Sequence, residues 1–184
     1  PEDTLVWNDD GVEGSYRFLK RLWRYSVEHR EDIVKAKEDD TSYNTEEYKS
    51  WRFNLHSLLK QTNFDYERRQ FNTVVSACMK ILNLLESGAL SSMQKSTRGR
   101  LQRESMSILL RVLYPIAPHI STELWNELKF SSEIEEAPWP QVDDTALVRN
   151  DVELVLQVNG KRRGNIVVPT DASREIIEKI ALAD

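Results

Sequence analysis

The fold is decided at Arg111-Val112-Leu113-Tyr114-Pro115-Ile116-Ala117-Pro118-His119-Ile120-Ser121-Thr122-Glu123-Leu124-Trp125, where two helices meet in a corner. Pro115 lacks a backbone donor and its ring clashes with the carbonyl of Arg111, so the incoming helix should end near Tyr114. Pro118 suits the first position of the next helix, where an N–H group has no partner within the helix anyway. The apolar residues around the two prolines predict that this corner lies inside a helical bundle.

Five segments with apolar residues at helical spacing predict the helices of that bundle. We expect them to run from about Val12 to the charged stretch at 36–38, from about Thr45, from Phe71, from 98 to 114, and from Pro118 to 128. The residues expected to face the core from the first three helices are Phe18, Leu19, Leu22, Trp23, Ser26, Tyr48, Trp51, Leu55, Leu58, Leu59, Thr62, Phe71, Val74, Val75, Cys78, Leu82 and Leu85.

The pattern changes after Phe130. Residues 131–150 are acidic and include Pro138-Trp139-Pro140, which predicts an extended linker pinned to the bundle by Trp139. Two strand-like runs then flank Asn159-Gly160, the strongest short hairpin signal, and a short helix follows. The sequence therefore predicts a mainly α protein: an antiparallel helical bundle over 1–130, a linker over 131–150, and a small, incomplete α+β segment over 151–184.

The composition of the 184-residue chain, 40% hydrophobic and 30% charged, is that of a soluble globular protein. No apolar run approaches the ~20 residues that a membrane span needs, and the first residues do not resemble a signal peptide. The single cysteine, Cys78, excludes an internal disulfide, and its apolar neighbours predict a buried, unreactive thiol. Because the chain lacks an initiator Met and stops soon after a short helix begins, we expect it to be a piece of a longer protein.

Four cations form a stripe on the first helix: Arg17, Lys20, Arg21 and Arg24. They lie opposite the expected core face, and no carboxylate interrupts them between residues 15 and 27. A solvated helix face and a ridge that faces phosphates both fit this pattern. Since the net charge is -5, any nucleic-acid surface must be local.

Smaller groups of cations lie at Arg68 and Arg69, at Lys95, Arg98 and Arg100, and at Lys161, Arg162 and Arg163. The second group crowds the N-terminal end of a helix, where the helix dipole disfavours cations. A nearby polyanion would offset that cost, although plain surface charge is the alternative. The third group follows a tight turn, and Gly164 beside it allows a close backbone approach or a simple β-bulge.

No pattern of catalytic, cofactor-binding or metal-ligating residues is present in the sequence. His56 has no Asp, Glu, Cys or second His placed in sequence to complete a site, so we expect a surface or semi-buried histidine. Ser92-Met93-Gln94-Lys95-Ser96 only superficially resembles an ATP-holding Lys-Met-Ser-Lys-Ser loop, because the first lysine and the central serine are replaced.

Four sequence motifs carry a family resemblance. Pro115-Ile116-Ala117-Pro118-His119, followed by Glu123 and Trp125, is similar to the proline corner in the C-terminal helical domain of class I aminoacyl-tRNA synthetases for leucine, valine and isoleucine. The other three motifs resemble bacterial-type leucyl-tRNA synthetases. They are the opening Gly11-Val12-Glu13-Gly14 with Arg17-Phe18-Leu19, and the hairpin motifs Val158-Asn159-Gly160-Lys161 and Val168-Pro169-Thr170-Asp171-Ala172-Ser173. The resemblance covers essentially the whole chain in the family's order.

The resemblance implies the anticodon-binding-type helical domain and the start of the C-terminal tRNA-binding domain of such an enzyme. The implied partner is tRNA(Leu), contacted by the stripe on the first helix and by Lys161, Arg162 and Arg163. Weaker candidates for the same contact are Arg68, Arg69, Lys95, Arg98 and Arg100. Leucine, ATP and Mg would bind only upstream parts, so this piece should be non-catalytic, cofactor-free, cytoplasmic, monomeric and not membrane-bound. The alternatives are the equivalent domain of an isoleucyl-, valyl- or methionyl-tRNA synthetase, and a helical protein-interaction domain with no nucleic-acid role.

Overall fold

A computed structural model describes residues 9–36, 45–148, 151–158, 161–169 and 172–183. The chain divides into two compact units, Pro1–Ala146 and Leu147–Asp184. The helices of the first unit are α1 (Asp9–Glu28), α2 (Arg30–Lys35), α3 (Glu46–Glu67), α4 (Phe71–Glu86), α5 (Lys95–Leu113) and α6 (Pro118–Glu127). The mainly α prediction is confirmed.

The proline corner folds as its sequence predicts. Helix α5 ends at Leu113, and Pro118 occupies the first turn of α6. The backbone N–H of Ala117 donates to the carbonyl of Leu113 over 2.9 Å, which satisfies a carbonyl at the helix end. Val112, Leu113 and Leu124 are buried here, whereas Ile116 is exposed.

The first predicted helix is in fact two helices, so the prediction of one helix to 36–38 is wrong. The chain leaves helical geometry at His29, whose φ is -109° and ψ is 8°. The His29 ring stacks on Tyr25 with a centroid distance of 4.1 Å, and its Nδ1 lies 3.0 Å from the Tyr25 carbonyl. This local break redirects α2, which buries Ile33.

Helix α5 lies at the centre of the first unit and packs against α2, α3, α4 and α6. Leu101, Met106, Leu109 and Leu110 are completely buried on it. Two residues expected in the core lie outside it: the side chains of Trp23 and Phe71 are 42% and 41% exposed. The remaining core prediction holds, with Val75, Leu19 and Leu58 only partly buried at its margin.

Gly99 sets how closely α5 approaches α2. A Cβ atom at this position would lie 2.8 Å from the backbone carbonyl oxygen of Asp32. Real Cβ atoms do not come that close to a backbone oxygen, so the two helices could not pack in this way around any other residue.

Residues 131–146 pack on the helices, although the sequence pattern predicts that the bundle ends at 130. The indole N–H of Trp125 donates to the carbonyl of Ser132 over 2.6 Å. Trp139 donates to Asn63 over 2.9 Å, and its ring meets Tyr66 edge-on at 4.9 Å. Trp139 thus pins this segment to α3 as expected.

A polar network of Arg52, His56, Glu104 and Asp143 ties the same segment to α3 and α5. The Arg52 guanidinium lies 2.8 Å from both Glu104 Oε1 and Asp143 Oδ2. His56 accepts a hydrogen bond at Nδ1 from the backbone N–H of Asp143 over 3.1 Å, which leaves its Nε2–H to face Glu104 Oε1 at 3.1 Å. The expectation of a partnerless surface or semi-buried histidine is therefore wrong: His56 is buried and satisfied, because a distant helix supplies the carboxylate.

The network holds its carboxylates in the ionised form. Burial opposes ionisation of Glu104, but hydrogen bonds from His56 and Arg52 outweigh it and lower the pKa of Glu104. Hydrogen bonding from the Thr145 hydroxyl, with further help from Arg52, lowers the pKa of Asp143 to about 2. Arg52 remains charged throughout the physiological range, and its pKa is raised by these same partners despite burial.

The second unit is a β-hairpin with one helix. Strands β1 (Asp151–Val158) and β2 (Lys161–Pro169) pair antiparallel, and α7 (Arg174–Ala183) contacts β2. Ile166 and Val168 are buried. The hairpin prediction is confirmed, whereas the turn at Asn159-Gly160 lies outside the described residues.

Replacing Gly99 with alanine should destabilise the helical unit by about 1–3 kcal/mol, the usual cost of forcing an extra methyl into a packed contact. The clash with the Asp32 backbone outweighs the better helix propensity of alanine. Thermal unfolding followed by circular dichroism measures the change.

Gly14 on α1 is the matched control, because a Cβ there meets nothing within 4 Å. Gly14→Ala should stabilise the chain by about 0.5–1 kcal/mol. An unchanged or raised melting temperature in Gly99→Ala would contradict the close approach of α2 and α5.

Replacing Asp143 with asparagine should reduce stability at neutral pH and make it less sensitive to acid. A carboxylate whose folded pKa lies below its unfolded value contributes stability above the unfolded pKa and loses it as the pH falls through the folded pKa. The difference between the wild type and Asp143→Asn should thus shrink from about pH 5 towards about pH 2. Urea unfolding at several pH values tests this, with exposed Asp144→Asn as the control; a constant difference would refute it.

Candidate nucleic-acid interface

Helix α1 presents a basic face beside its buried face. Phe18, Leu22 and Tyr25 point into the core. Arg17, Lys20 and Arg24 are exposed, and Arg21 is about 39% exposed. The structure thus brings the four predicted cations to one side of one helix, as their spacing requires.

Carboxylates from outside the stripe partly neutralise it. Arg21 forms an ion pair with Glu86 of α4 and a 2.6 Å hydrogen bond with Asn83. Arg24 lies 3.5 Å from the other Glu86 oxygen and 3.9 Å from Glu28. Arg21 is therefore committed to helix packing, whereas Arg24, with its side chain 63% exposed, remains accessible.

Arg17 and Lys20 are the outer members of the stripe. Arg17 forms an exposed ion pair with Glu13, at 3.2 Å, one turn earlier on α1. An exposed pair of this kind holds its partners weakly, by about 0–1 kcal/mol. Within the described part of the chain, Lys20 forms no ion pair.

Two exposed aromatic side chains flank Lys20, and neither was predicted from the sequence as part of the interface. Tyr16 is 63% exposed and lies four residues before Lys20, while Trp23 lies three residues after it. These spacings place all three on one helix face. The signal was available at i, i+4 and i+7, but Trp23 was assigned to the core because it shares helical spacing with Phe18, Leu19 and Leu22.

The cations at the start of α5 have a partner within the protein. Lys95 Nζ lies 3.1 Å from Asp32 Oδ1, and Arg98 lies 3.3 Å from Asp32 Oδ2. The Asp32 carboxylate therefore offsets the unfavourable interaction of these two cations with the N-terminal end of the helix dipole. A polyanion is not needed to explain their position. The contact depends on the turn at His29, which the sequence pattern did not show.

The remaining weak candidates do not belong to α1. Arg68 stacks over the Phe64 ring at 5.2 Å, and Arg69 has a left-handed backbone with φ of 57°. Both are exposed at the end of α3. Arg100 is half-buried and lines a cavity beside α5.

The three hairpin cations lie where the strand register shifts. Leu156 pairs with Gly164, and Gln157 pairs with Arg162, so Arg163 has no Cα partner across the hairpin. This irregularity is the β-bulge that was the alternative explanation of Gly164. Arg163 is exposed, and a Cβ at Gly164 would meet nothing within 4 Å.

Other kinds of site have little support. Cys78 is buried, and burial raises the pKa of its thiol to about 12, so it is unreactive. Among the described residues, no group of three or more His, Cys, Asp or Glu side chains could hold a metal ion. No helix in the described ranges has the length and apolar character needed to cross a membrane.

Comparison with known proteins identifies the family. Leucine–tRNA ligases of Ralstonia nicotianae, Ralstonia pickettii and Coxiella burnetii are 52%, 50% and 47% identical over 100%, 100% and 99% of this chain. The chain spans 21%, 21% and 22% of their lengths, about a fifth.

A solved structure shares the fold. The ternary complex of Agrobacterium radiobacter K84 agnB2 LeuRS with tRNA and LeuAMS contains a chain that matches with a TM-score of 0.77 and 26% identity, over 98% of this chain and 23% of that one. The family model described as the anticodon-binding domain of tRNA ligase matches residues 51–179. The chain therefore belongs to the anticodon-binding domain family of tRNA ligases.

Proposed function

We propose that this chain is the tRNA-docking part of a leucine–tRNA ligase of the bacterial type. The observation that carries the proposal is the match to leucine–tRNA ligases, at about half identity, along the whole chain, with the helical unit and the hairpin in the same order. The solved relative whose fold this chain shares was crystallised with tRNA, which supports the same partner here.

The chemistry of leucylation would be carried out by other parts of the longer protein, which would also hold leucine, ATP and Mg. The family's reaction joins leucine to tRNA through an adenylate. This chain would contribute position and affinity, because cationic side chains that contact phosphates fix the register of an RNA without taking part in bond making. We further propose that the protein acts in the cytoplasm as a monomer.

Lys20 is the centre of the proposed docking surface on α1, with Arg17 and Arg24 beside it. Its ammonium group makes no ion pair with any described residue, whereas both arginines have exposed carboxylate partners that a phosphate can displace. Tyr16 and Trp23 add aromatic surface on the same side, on which an unstacked base could lie. Arg21 would act indirectly, by fixing α1 to α4.

The other candidates rank below this surface. Lys95 and Arg98 share Asp32 and would need to leave it to bind RNA. Arg68, Arg69 and Arg100 remain weaker candidates, and Lys161, Arg162 and Arg163 form a second proposed contact. The acidic overall charge confines binding to these local groups.

Reversing two charges on α1, with Lys20→Glu and Arg24→Glu together, should weaken tRNA binding by the full-length protein. Each lost phosphate contact should flatten the log–log salt dependence of the affinity by about 0.7–0.9. Filter binding or fluorescence anisotropy at several salt concentrations measures both quantities.

The matched control reverses Lys60 and Lys80, two exposed lysines on α3 and α4. It changes the net charge by the same amount as the α1 variant, and it should leave the salt dependence of the tRNA affinity unchanged. Glu86→Gln should act in the opposite direction, because it releases Arg24 from a carboxylate while Arg21 keeps its hydrogen bond to Asn83. If the α1 variant and the control behaved alike, the stripe would be only a solvated face.

Replacing Lys161, Arg162 and Arg163 with alanine should lower leucylation of tRNA and leave tRNA-independent leucine activation unchanged. The change removes three cations from the proposed second contact and leaves the strand register intact. Aminoacylation and leucine-dependent pyrophosphate exchange, measured side by side, provide the test. Equal loss of both activities would indicate a folding defect, and loss of neither a purely structural hairpin.

A further inference from the structure

A cavity of about 680 Å³ lies within the helical unit, between α1, α4 and α5. Tyr25 lines it from α1, Leu85 lines it from α4, and Arg98 and Gln102 line it from α5. The volume falls within the range found for small-molecule sites. The cavity therefore has room for a ligand much larger than a water molecule.

The side-chain amide of Gln102 is left half satisfied beside this cavity. Gln102 is 1% exposed, and its Nε2 atom donates to the Tyr25 hydroxyl over 2.8 Å. In the described part of the chain, its buried Oε1 atom has no hydrogen-bond partner. A buried acceptor of this kind is costly, and native proteins rarely leave one without a donor. Because Gln102 lines the cavity, a molecule bound there can supply the missing donor.

The Tyr25 hydroxyl adds a donor next to that acceptor. It accepts from Gln102, and its own hydrogen has no acceptor among the described residues. Burial raises the pKa of this hydroxyl to about 12, so it stays protonated at neutral pH. If the Gln102 amide turned over by 180°, Tyr25 would donate to it instead, and the pair would still present one donor and one acceptor.

The charged side chains of the lining already face opposite charges. Arg98 lies 3.3 Å from Asp32, while Arg24 lies 3.5 Å from Glu86 and 3.9 Å from Glu28. A bound ion would have to compete with these pairs, whereas a neutral polar molecule would leave them intact. The lining therefore suits a neutral ligand with hydrogen-bonding groups.

The mouth of the cavity is open to such a ligand. Arg24, Glu28, Gly88 and Ser91 belong to the lining and are exposed. The ion pair between Arg24 and Glu28 is weak because both side chains are solvated, so it does not seal the entrance.

We propose that this cavity binds a nucleobase, with the Gln102 amide and the Tyr25 hydroxyl at its hydrogen-bonding edge. The edge of a base carries a donor and an acceptor side by side, and its faces are flat and weakly polar. Leu85 and Leu90 supply an apolar wall for the faces, and the half-buried His29 ring, stacked on Tyr25 at 4.1 Å, adds aromatic surface.

A free nucleoside and an unstacked base of a bound RNA share this chemistry. Arg24 belongs both to the cavity lining and to the basic stripe on α1, so an RNA docked on the stripe would pass the entrance. The polar pair that reads the base is separate from the stripe. The site would therefore exist even if tRNA docking on α1 failed.

Titration of the 184-residue chain with adenosine, uridine and ribose, followed by saturation-transfer NMR, tests the shared requirement. Both nucleosides should bind at millimolar concentration, and ribose should not. Because a nucleoside carries no charge, its affinity should not fall with salt as a phosphate contact does. Tyr25→Phe together with Gln102→Met should weaken nucleoside binding about 10-fold, as expected for the loss of two hydrogen bonds.

The double variant also separates binding from folding. Replacing both partners with apolar side chains of similar shape leaves neither group orphaned, so the melting temperature should stay close to that of the wild type. Tyr66→Phe is the matched control, because it removes a hydroxyl that donates to the Val112 carbonyl outside the cavity and should leave nucleoside binding unchanged. Should the double variant fail to fold, Ser91→Trp, which fills the exposed entrance, should also weaken nucleoside binding.

Competition by tRNA in the full-length protein separates the two sources. Loss of nucleoside binding after tRNA is added would assign the cavity to a base of bound RNA, and unchanged binding would assign it to a free nucleoside. Lys20→Glu lies outside the lining and should still bind nucleosides, which separates this proposal from the docking proposal. Binding of ribose as tight as that of the nucleosides, no nucleoside binding at millimolar concentration, or full affinity in the folded double variant would overturn the proposal.

Discussion

The helical unit depends on the burial of α5 among four other helices. This helix is charged as well as apolar, and a charge taken out of water is costly unless it is paired or hydrogen-bonded. Three of these four neighbours therefore supply a polar partner. Asp32 of α2 meets Arg98, Arg52 of α3 meets Glu104, and backbone carbonyls around α6 receive Arg103. The requirement to satisfy one buried helix thus fixes the positions of the elements around it.

The features that could be predicted from the sequence are those with a local cause. Pro115 and Pro118 act on the backbone around them, so the corner follows directly from their chemistry. Thr45 behaves in the same way, since its hydroxyl accepts from the Tyr48 N–H and starts α3. The hairpin register, except at Arg163, follows from the alternation of the two strands and from the Asn159-Gly160 signal in the sequence.

The features that were missed depend on residues far apart in sequence. Arg21 and Glu86 are 65 residues apart, and His56 and Glu104 are 48 apart. Periodicity shows which face of a helix is apolar, but it does not show which helix lies against that face. Trp23 shows a related limit, because its helical spacing with apolar residues predicted a core position, whereas α1 leaves it at the surface. The candidate cations were found by spacing, while the carboxylates that compete for them were not.

The exposed position of Trp23 has an optical consequence. Indole emission shifts to shorter wavelength when water is excluded from the ring, and it is quenched or shifted when another aromatic group stacks on it. Trp23 lies one turn from Lys20 on the face proposed to meet RNA, whereas Trp51 and Trp125 are enclosed in the core. Helix α1 therefore carries a natural chromophore whose fluorescence would respond to anything that covers the basic face, without a label attached to either molecule.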